Sequence, residues 1–561
     1  MERAHASGSM FREWEFWACL AVLVLTYVVR FEAFPMVGEE TRVARVTVEM
    51  FDRNDWVVPR ELGQPFNSRP PLMFWLIAIP AWFVGEVNVF ATRLPSILGV
   101  VLTGLLIYGY SRTWLSRTGS LLAVLFWVTL PELLIANRKA EAEALFTMSV
   151  AGSLIGWHAA YARGWSSTTM WAIGYGMAAF ATLIKGPQAP IYFGAATWLF
   201  LAQRRDWKRL FCMGHLLGMT MFAVVVGSWV ALYCAAEGVG GFIKLWTGDS
   251  AMRFQNQTVT TFLIHLVVYP AEIFGCMLPW SILLLAYLWP QNRQAADSAA
   301  GHRNFLLLGA IVGFLPCWLT PGAVSRYFQP QYPLLVVLMA WPVDRLISAP
   351  ESQRSWRMFV RFLAVGPIVV WAVLMGLTLA ANEPRIADSM TLRAWVQPVG
   401  LLAVLGVLAA IAFWQLWQAS ATPSRIGVAL LAFAVFTGLF ATTAWVDAIR
   451  ARAVPLEAEV ARIKQDLPPG QPAYYIDYIH HRFVYYNHVA PKRIEAADVD
   501  RLKPGECVCV TCGAQAGNPL GERFEVVGSV SMDRLRDRRP EQVVLVLQRI
   551  ADRRAIVFDD E

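Results

Sequence analysis

Long apolar runs separated by short polar segments dominate the first 446 residues of the chain. Most runs are roughly 17 to 25 residues long, the length that an α-helix needs to cross a hydrocarbon core of about 30 Å. The alternation over about ten residues that marks the strands of a membrane β-barrel is absent from the sequence. The pattern therefore predicts a polytopic α-helical membrane protein. Its expected spans, about 13 in number, lie near residues 14–34, 92–111, 118–136, 143–163, 168–184, 187–203, 209–235, 265–290, 304–319, 327–347, 359–380, 396–418 and 424–446.

One further apolar stretch, Pro70–Gly85, is short for a span and contains a second proline, Pro80. If it crossed the membrane, the basic cluster Arg204–Arg209 would fall on the outer side. If it lies as a helix at the membrane interface, that cluster and the other basic loops fall inside, as the positive-inside rule favours. We therefore predict an interfacial helix, a cytoplasmic N-terminus and a C-terminus outside the membrane.

After Val446 the sequence becomes charged and mixes short β-like runs with helix-like ones. The β-like runs are "QPAYYIDYI", "ECVCVTCG" and "EQVVLVLQRI". We predict two domains, a transmembrane domain over residues 1–446 and a small α/β extracytoplasmic domain over residues 447–561.

The composition agrees with a membrane protein, because 56% of the residues are hydrophobic and only 16% are charged, against about 25% charged in soluble proteins. The formal net charge of +7 fits basic residues in cytoplasmic loops. It gives no reason to expect nucleic acid as a partner.

Charged side chains gather in the segments predicted to lie on the outer face. Carboxylates near a membrane can act as a general base or orient an acceptor, while fixed cations can hold a phosphate and stabilise it as a leaving group. A solvated charged linker explains the first loop alone, but it does not explain the same pattern in several separate segments. The residues concerned are Glu39, Glu40, Arg42 and Arg69, then Arg138, Lys139, Glu141 and Glu143, then Lys185, Arg253 and Arg326.

Several short motifs recur in one order along the chain. The first is "GEETRVARVTVEMFDRNDWVVPRELGQPFNSRPPLMFW", and the later ones are "FATRLPS", "NRKAEAE", "LIKGP", "LPW" and "RYFQPQYP". In this order and at this spacing they resemble the GT-C fold integral membrane glycosyltransferases of the aminoarabinose-transferase-like and protein-mannosyltransferase-like family. The resemblance covers about residues 1–450 in outline and is most specific between Val37 and Pro190.

The resemblance implies an inverting enzyme that moves a sugar from a polyprenyl-phosphate donor to a lipid, glycan or protein acceptor on the outer face of the membrane. Glu39 matches the catalytic acidic position, Glu143 matches the second acidic position, and Arg69 stands where a lysine usually precedes the two prolines. Lys185, Arg253 and Arg326 or Tyr327 match phosphate-side positions. Arg42 and Arg138 are expected to support the acceptor or the loops. The implied location is the bacterial inner membrane.

The sequence departs from the family pattern at both acidic positions, where glutamate replaces aspartate, and at Arg69, which favours bidentate phosphate contact over a point charge. Because the Glu39 side chain is one methylene longer, Glu40 stays open as the acting carboxylate. Metal use also stays open: no cofactor is required by the motifs, but Glu39 and Glu143 could hold a divalent cation.

Two alternative functions and two smaller motifs complete the sequence picture. A transporter or flippase of an anionic or polyprenyl-linked lipid could use the same outer cations, but the inverted repeats and midplane charges of transporters are not evident. A non-catalytic scaffold is the other alternative.

Cys507, Cys509 and Cys512 fit a buried strand better than a metal site, with a disulfide left open. The stretch Tyr474–His488 is expected to be a structural edge of the C-terminal domain, with sugar contact as the alternative.

Overall fold

A computed structural model of the chain describes residues 10–33, 35–254, 258–288, 299–348, 354–452, 456–466, 473–487, 491–513, 517–532 and 542–550. Helices account for most of these residues, as the apolar runs predicted. The helices before residue 453 are α1 (Trp14–Leu23), α2 (Glu40–Arg53), α3 (Leu72–Val84), α4 (Val89–Ser111), α5 (Arg117–Val128), α6 (Pro131–Ala136), α7 (Ala142–Ala151), α8 (Trp157–Ala162), α9 (Ser167–Lys185), α10 (Gln188–Gln203), α11 (Trp207–Leu210), α12 (Met213–Phe254), α13 (Val259–Cys276), α14 (Ala300–Trp318), α15 (Tyr332–Ser348), α16 (Arg354–Leu379), α17 (Pro384–Ala387), α18 (Met390–Arg393), α19 (Val399–Ala421), α20 (Ile426–Phe440) and α21 (Val446–Arg452).

Seven helices in the described ranges are long and apolar enough to cross a membrane. Several other predicted spans contain local breaks; for example, α5 ends at Val128, and Pro131 starts the short helix α6, where its missing N–H costs nothing. The middle of the bundle is closely packed, since all residues of α5 from Gly119 to Val128 are buried. The chain is therefore a multi-pass helical membrane protein, and the number of about 13 spans stays a prediction.

On the predicted inner side, Glu13 connects the segment before α1 to the end of α4. Its carboxylate accepts two hydrogen bonds from Arg112, both at 2.9 Å, and one from the Tyr108 hydroxyl at 2.6 Å. Arg117 Nε lies 3.3 Å from the same carboxylate. These contacts form a polar latch between the two helices, and because Glu13 is nearly buried, its charge needs these partners.

The first outer segment is built from α2, a short hairpin of β1 (Arg60–Glu61) and β2 (Gln64–Pro65), and α3. With 13 residues, α3 is about 20 Å long, less than the bilayer core, so it fits the predicted interfacial helix better than a span. Trp82 and Phe83 near its end are largely exposed, as expected for aromatic residues at a membrane interface.

The segment between the predicted spans 209–235 and 265–290 is largely helical in its described residues. Helix α12 runs for 42 residues to Phe254 and bends at Gly238, whose φ of 74° and ψ of 166° are not helical. The next helix, α13, begins at Val259. The predicted limits of these two spans, residues 235 and 265, were wrong in this respect, because the polar residues between them do not reveal that a kinked helix continues past the apolar run.

The C-terminal part contains helices α22 (Leu456–Asp466) and α23 (His481–Asn487) and a five-stranded sheet. Strand β3 is parallel to β4 and β5, whereas β5 and β6 are antiparallel to β7, giving the order β4-β3-β5-β7-β6. Side chains of both helices, among them Val460 and Phe483, are buried in one core. The strands are β3 (Ala473–Ile476), β4 (Lys492–Ile494), β5 (Cys507–Gly513), β6 (Phe524–Ser531) and β7 (Gln542–Arg549).

This sheet is the predicted small α/β unit. The exact position of the domain boundary stays a prediction, although α21 continues past residue 446 to Arg452. Cys507 and Cys509 are buried in the core that packs against the two helices, while Cys512 packs on the opposite side of the sheet. All three are free thiols, so the buried-strand interpretation fits the structure and the disulfide alternative does not.

Candidate active site

Glu40, the first residue of α2, is a buried carboxylate with a full set of partners. It accepts two hydrogen bonds from Arg93, at 2.7 and 2.9 Å, and one each from the backbone N–H groups of Val37 and Ala140, at 3.0 and 2.8 Å. Burial opposes ionisation, but Arg93 and the two N–H groups outweigh it and lower the pKa of Glu40 below its usual value. Because neither side chain of the ion pair has any exposed surface, Glu40 is an anchor that joins α2 to α4 and to the second outer segment, residues 137–143 from the end of α6 into the start of α7.

Glu39, directly before α2, is in a different environment. Its side chain is 40% exposed, and one oxygen accepts a hydrogen bond from Arg42 Nη1 at 3.0 Å. Arg42 Nε is shared between both oxygens of Glu61, each at 3.0 Å. Arg42 therefore holds Glu39 in place, an arrangement that suits the predicted loop-support role, and the N-terminal end of α2 favours a carboxylate here. Of the two adjacent glutamates, only Glu39 has surface open for chemistry.

Glu143 lies in the first turn of α7 and faces two of the predicted cations. One carboxylate oxygen is 3.1 Å from Lys185 Nζ and 3.9 Å from Arg326 Nε. The other oxygen is buried and has no hydrogen-bond partner among the described residues. Lys185 ends α9, and Gly186 follows with a φ of 131°, a conformation that side-chain-bearing residues rarely adopt. The "LIKGP" motif thus ends the helix at the point where the lysine reaches Glu143.

Aromatic rings and a further arginine complete this cation cluster. Lys185 Nζ lies 5.0 Å from the centre of the Tyr327 ring and 5.5 Å from that of Phe146, within the range of cation–π attraction. Arg69, directly before the two prolines that precede α3, stabilises the ionised form of Glu143 by its charge. Residues from four distant sequence motifs are thereby brought together around one carboxylate.

A cavity of about 450 Å³ opens beside Glu39. Glu141 lies in its wall and also reaches the cation cluster, because Arg326 Nη1 is 3.6 Å from Glu141 while Arg326 Nε is 3.9 Å from Glu143. Burial and the charge of Glu143 raise the pKa of Glu141. Arg326 and Glu141 thus connect the Glu39 cavity to the Lys185 cluster. The residues that line the cavity are Val37, Gly38, Glu39, Arg42, Lys139, Glu141, Ile449, Arg452, Tyr478, His480, His481, Arg482 and Gln542.

The C-terminal part forms one wall of this cavity. Tyr478, His480, His481 and Arg482 belong to the aromatic and histidine-rich stretch that was expected to be a structural edge. That stretch does pack in the C-terminal core through Phe483, but it also faces the cavity. The expectation was therefore incomplete, since no local pattern tells which side of such a stretch meets another domain.

Arg138 and Arg253, the last two predicted arginines, are not among the described residues that line the cavity. Arg138 is almost fully buried and donates hydrogen bonds to the backbone carbonyls of Thr26 and Val29, the latter at 2.9 Å, so it supports the second outer segment from the end of the first span. Arg253 lies in the last turn of α12, and its side chain is outside the described residues.

Sequence reasoning missed the importance of three residues. Glu141 and Lys139 were recognised as charged but not selected for the site, and Arg93 was quoted only within "FATRLPS". For Arg93 the available signal was a charged residue inside a predicted span, which needs a buried partner.

A larger cavity of about 870 Å³ lies between α2, the end of α3 and α23, and none of the predicted site residues lines it.

The described residues hold no group of three or more His, Cys, Asp or Glu side chains arranged to bind a metal ion. Glu39 is paired with Arg42, and Glu143 is paired with Lys185. A divalent cation held by the two glutamates stays a prediction, and no step of the chemistry is assigned to one.

Comparison with known proteins agrees with the motifs. Residues 68–230 match the family described as dolichyl-phosphate-mannose-protein mannosyltransferase. An undecaprenyl phosphate-alpha-4-amino-4-deoxy-L-arabinose arabinosyl transferase of Edwardsiella ictaluri is 29% identical over 59% of this chain and 60% of its own length. A protein of the same name from Erwinia tasmaniensis is 23% identical over 71% of this chain and 72% of its own. The chain thus spans less than two thirds of the first of these relatives.

Solved structures extend the likeness to almost the whole chain. The crystal structure of ArnT from Cupriavidus metallidurans bound to undecaprenyl phosphate has a TM-score of 0.70 at 18% identity, covering 95% of this chain and 98% of that one. Its apo state gives a TM-score of 0.67 at 19% identity. At a sequence identity of 18–19%, this structural similarity establishes the fold alone. The resemblance predicted from the motifs is confirmed: the chain has the GT-C membrane fold and is similar to the aminoarabinose-transferase-like and protein-mannosyltransferase-like glycosyltransferases.

Proposed function

We propose that the chain is an inverting glycosyltransferase that moves a sugar from a polyprenyl-phosphate donor to an acceptor on the outer face of the membrane. One observation carries the proposal. A partly exposed carboxylate, Glu39, borders the same cavity that Glu141 and Arg326 connect to the cations around Glu143. A base for the acceptor and cations for the donor phosphate thus stand next to each other.

The reaction uses these two groups at opposite ends of one displacement. An acceptor oxygen attacks the anomeric carbon of the sugar while the bond from that carbon to the phosphate oxygen breaks, and the configuration inverts. The Glu39 carboxylate takes the acceptor proton. Lys185, Arg326 and Arg69 stabilise the charge that develops on the leaving polyprenyl phosphate, because fixed cations near a membrane need little reorganisation. Tyr327 lies beside Lys185 and orients it.

The relatives' names guide the choice of substrates. Those proteins are named for an undecaprenyl-phosphate donor of 4-amino-4-deoxy-L-arabinose, so that donor is the first to test, and the acceptor stays open among lipid, glycan and protein. We further propose a bacterial inner membrane location with the N-terminus in the cytoplasm and the C-terminal sheet outside. The basic latch around Glu13 and the basic segment Arg204–Arg209 support this orientation.

The proposal is tested with purified protein in proteoliposomes that contain sugar-labelled and lipid-labelled polyprenyl-phosphate donors and a bacterial membrane extract as acceptor. We expect the sugar label to move to acceptor material while free polyprenyl phosphate accumulates. Movement of the intact donor between leaflets without loss of sugar would instead establish a transporter.

Lys185→Met tests the phosphate-binding cluster. A hydrogen bond to a charged group contributes about 1.5–3 kcal/mol, so we expect the KM for the donor to rise by roughly 10- to 100-fold, with a smaller effect on kcat. Steady-state kinetics against donor concentration measure both. Lys208→Met, a change of lysine to methionine on the predicted inner side, serves as the matched control. An unchanged donor KM in Lys185→Met would remove Lys185 from the phosphate site.

A further inference from the structure

The short helix α23 packs in the C-terminal core on one side and contacts the first turn of α2 on the other. Phe483 and Val484 are 2% and 1% exposed and are buried in the core of the C-terminal part. On the opposite side, His481 Nδ1 lies 2.7 Å from Thr41 Oγ1. Both groups are buried, with Thr41 at 0% and His481 at 7% exposure. A buried hydrogen bond thus joins the C-terminal part to the first turn of α2.

This hydrogen bond acts on the turn that presents Glu39. Thr41 follows Glu39 by two positions, and its neighbours are fixed by other means: Glu40 by Arg93, and Arg42 by Glu61. The hydrogen-bond partners of Glu40 and Arg42 all come from residues before α7, in the membrane part of the chain. His481 supplies a restraint from the separate C-terminal core, and it also lines the cavity that Glu39 borders.

We propose that His481 is a positioning residue for Glu39, so that the C-terminal part is a component of the catalytic apparatus. The inference rests on the proposed glycosyltransferase function. Its effect is geometric: His481 keeps the first turn of α2, and with it Glu39, at a fixed distance from the cations that bind the donor phosphate. A displacement of about 1 Å at a reacting group can lower a rate by about 100-fold. The donor cations themselves lie on α9 (Lys185), before α15 (Arg326) and before α3 (Arg69), and none of them is a partner of the His481–Thr41 hydrogen bond, so His481 is not expected to change donor affinity.

The test compares His481→Ala with His481→Asn in the full-length protein. The alanine change is expected to lower kcat by roughly 10- to 100-fold, while the KM for the donor changes little. Asparagine places an amide atom where the histidine has Nδ1, so it can restore the bond to Thr41, and we expect most of kcat to return. Thr41→Val removes the same hydrogen bond from the other side. The double change Thr41→Val with His481→Ala is expected to cost no more than either single change, because coupled residues are non-additive.

Tyr485→Phe is the matched control, because it removes another contact of α23 with the membrane part, from the Tyr485 hydroxyl to the Val87 carbonyl at 3.2 Å. A similar fall in kcat for this control, with no rescue by His481→Asn, would reduce His481 to a general docking role and overturn the proposal. Wild-type kcat in His481→Ala would do the same. If His481→Ala does not fold, Thr41→Val and His481→Asn carry the comparison. Failure of wild-type protein to transfer sugar would instead reject the underlying function.

Discussion

Glu39→Gln is expected to lower kcat for sugar transfer by about 100- to 10,000-fold, the usual range for loss of a general base. Glutamine keeps the size of the side chain and can still accept a hydrogen bond from Arg42, but it cannot take the acceptor proton. The donor KM is expected to stay within a few-fold of wild type, since the cations lie around Glu143. Steady-state kinetics and donor binding measured on the same preparation separate these two effects.

Two further variants sharpen this result. Glu39→Asp keeps a carboxylate and has the residue that the family pattern usually carries, so it should retain far more activity than Glu39→Gln. Glu61→Gln weakens the other ion pair of Arg42 without removing the carboxylate at the cavity, and it should reduce kcat much less. Equal losses in Glu39→Gln and Glu61→Gln would mean that Glu39 acts only by holding Arg42.

Arg93→Met is expected to destabilise the protein by about 3–5 kcal/mol, the cost of leaving one charge of a buried pair without its partner. Arg93 also donates a hydrogen bond to the carbonyl of Phe31 at 2.8 Å, so the loss extends beyond the ion pair. Unfolding in a denaturing detergent, followed by tryptophan fluorescence, measures the free energy relative to wild type.

The same ion pair decides between the two adjacent glutamates. Glu40→Gln should mainly reduce stability, because the anchor loses a charge facing Arg93, and the folded fraction should keep most of its specific activity. Glu86→Gln, on an exposed side chain, is a control for removing a carboxylate near the same segments. A stable Glu40→Gln protein that has lost all transfer would move the base from Glu39 to Glu40.

Among the candidate site residues, the sequence motifs carried more information about which residues come together than about the buried partners that fix them. Glu143, Lys185 and Arg326 came from three separate motifs, and the structure brings Lys185 and Arg326 each within 4 Å of the Glu143 carboxylate. Their order and spacing carried that information. The burial of Glu40 could not be predicted in the same way, because its partner Arg93 is 53 positions away and stood in an apolar span without an assigned role.

For the fold, too, the sequence predicted local elements but not the contacts between residues far apart in the chain. The apolar runs predicted a multi-pass helical protein, and the β-like runs after Val446 contain β3, β5 and β7. The continuation of α12 past the membrane run was not predicted, since a bend at Gly238 lets a polar segment stay helical. The contact of His481 with Thr41 spans 440 positions; a single sequence contains no local signal for such a pair, because it depends on how two independently formed cores dock.

The latch between Glu13 and Arg112 has a consequence for biogenesis. The two residues are 99 positions apart, and translation proceeds at about 5–20 residues per second. Glu13 is therefore added to the chain roughly 5 to 20 seconds before its arginine partner. During that interval the segment before α1 lacks the hydrogen bonds that join it to the end of α4. In the proposed orientation, Arg112 and Arg117 belong to the basic residues that keep this end of α4 in the cytoplasm, so the same positive charges would act first as a topological signal and afterwards as partners of Glu13.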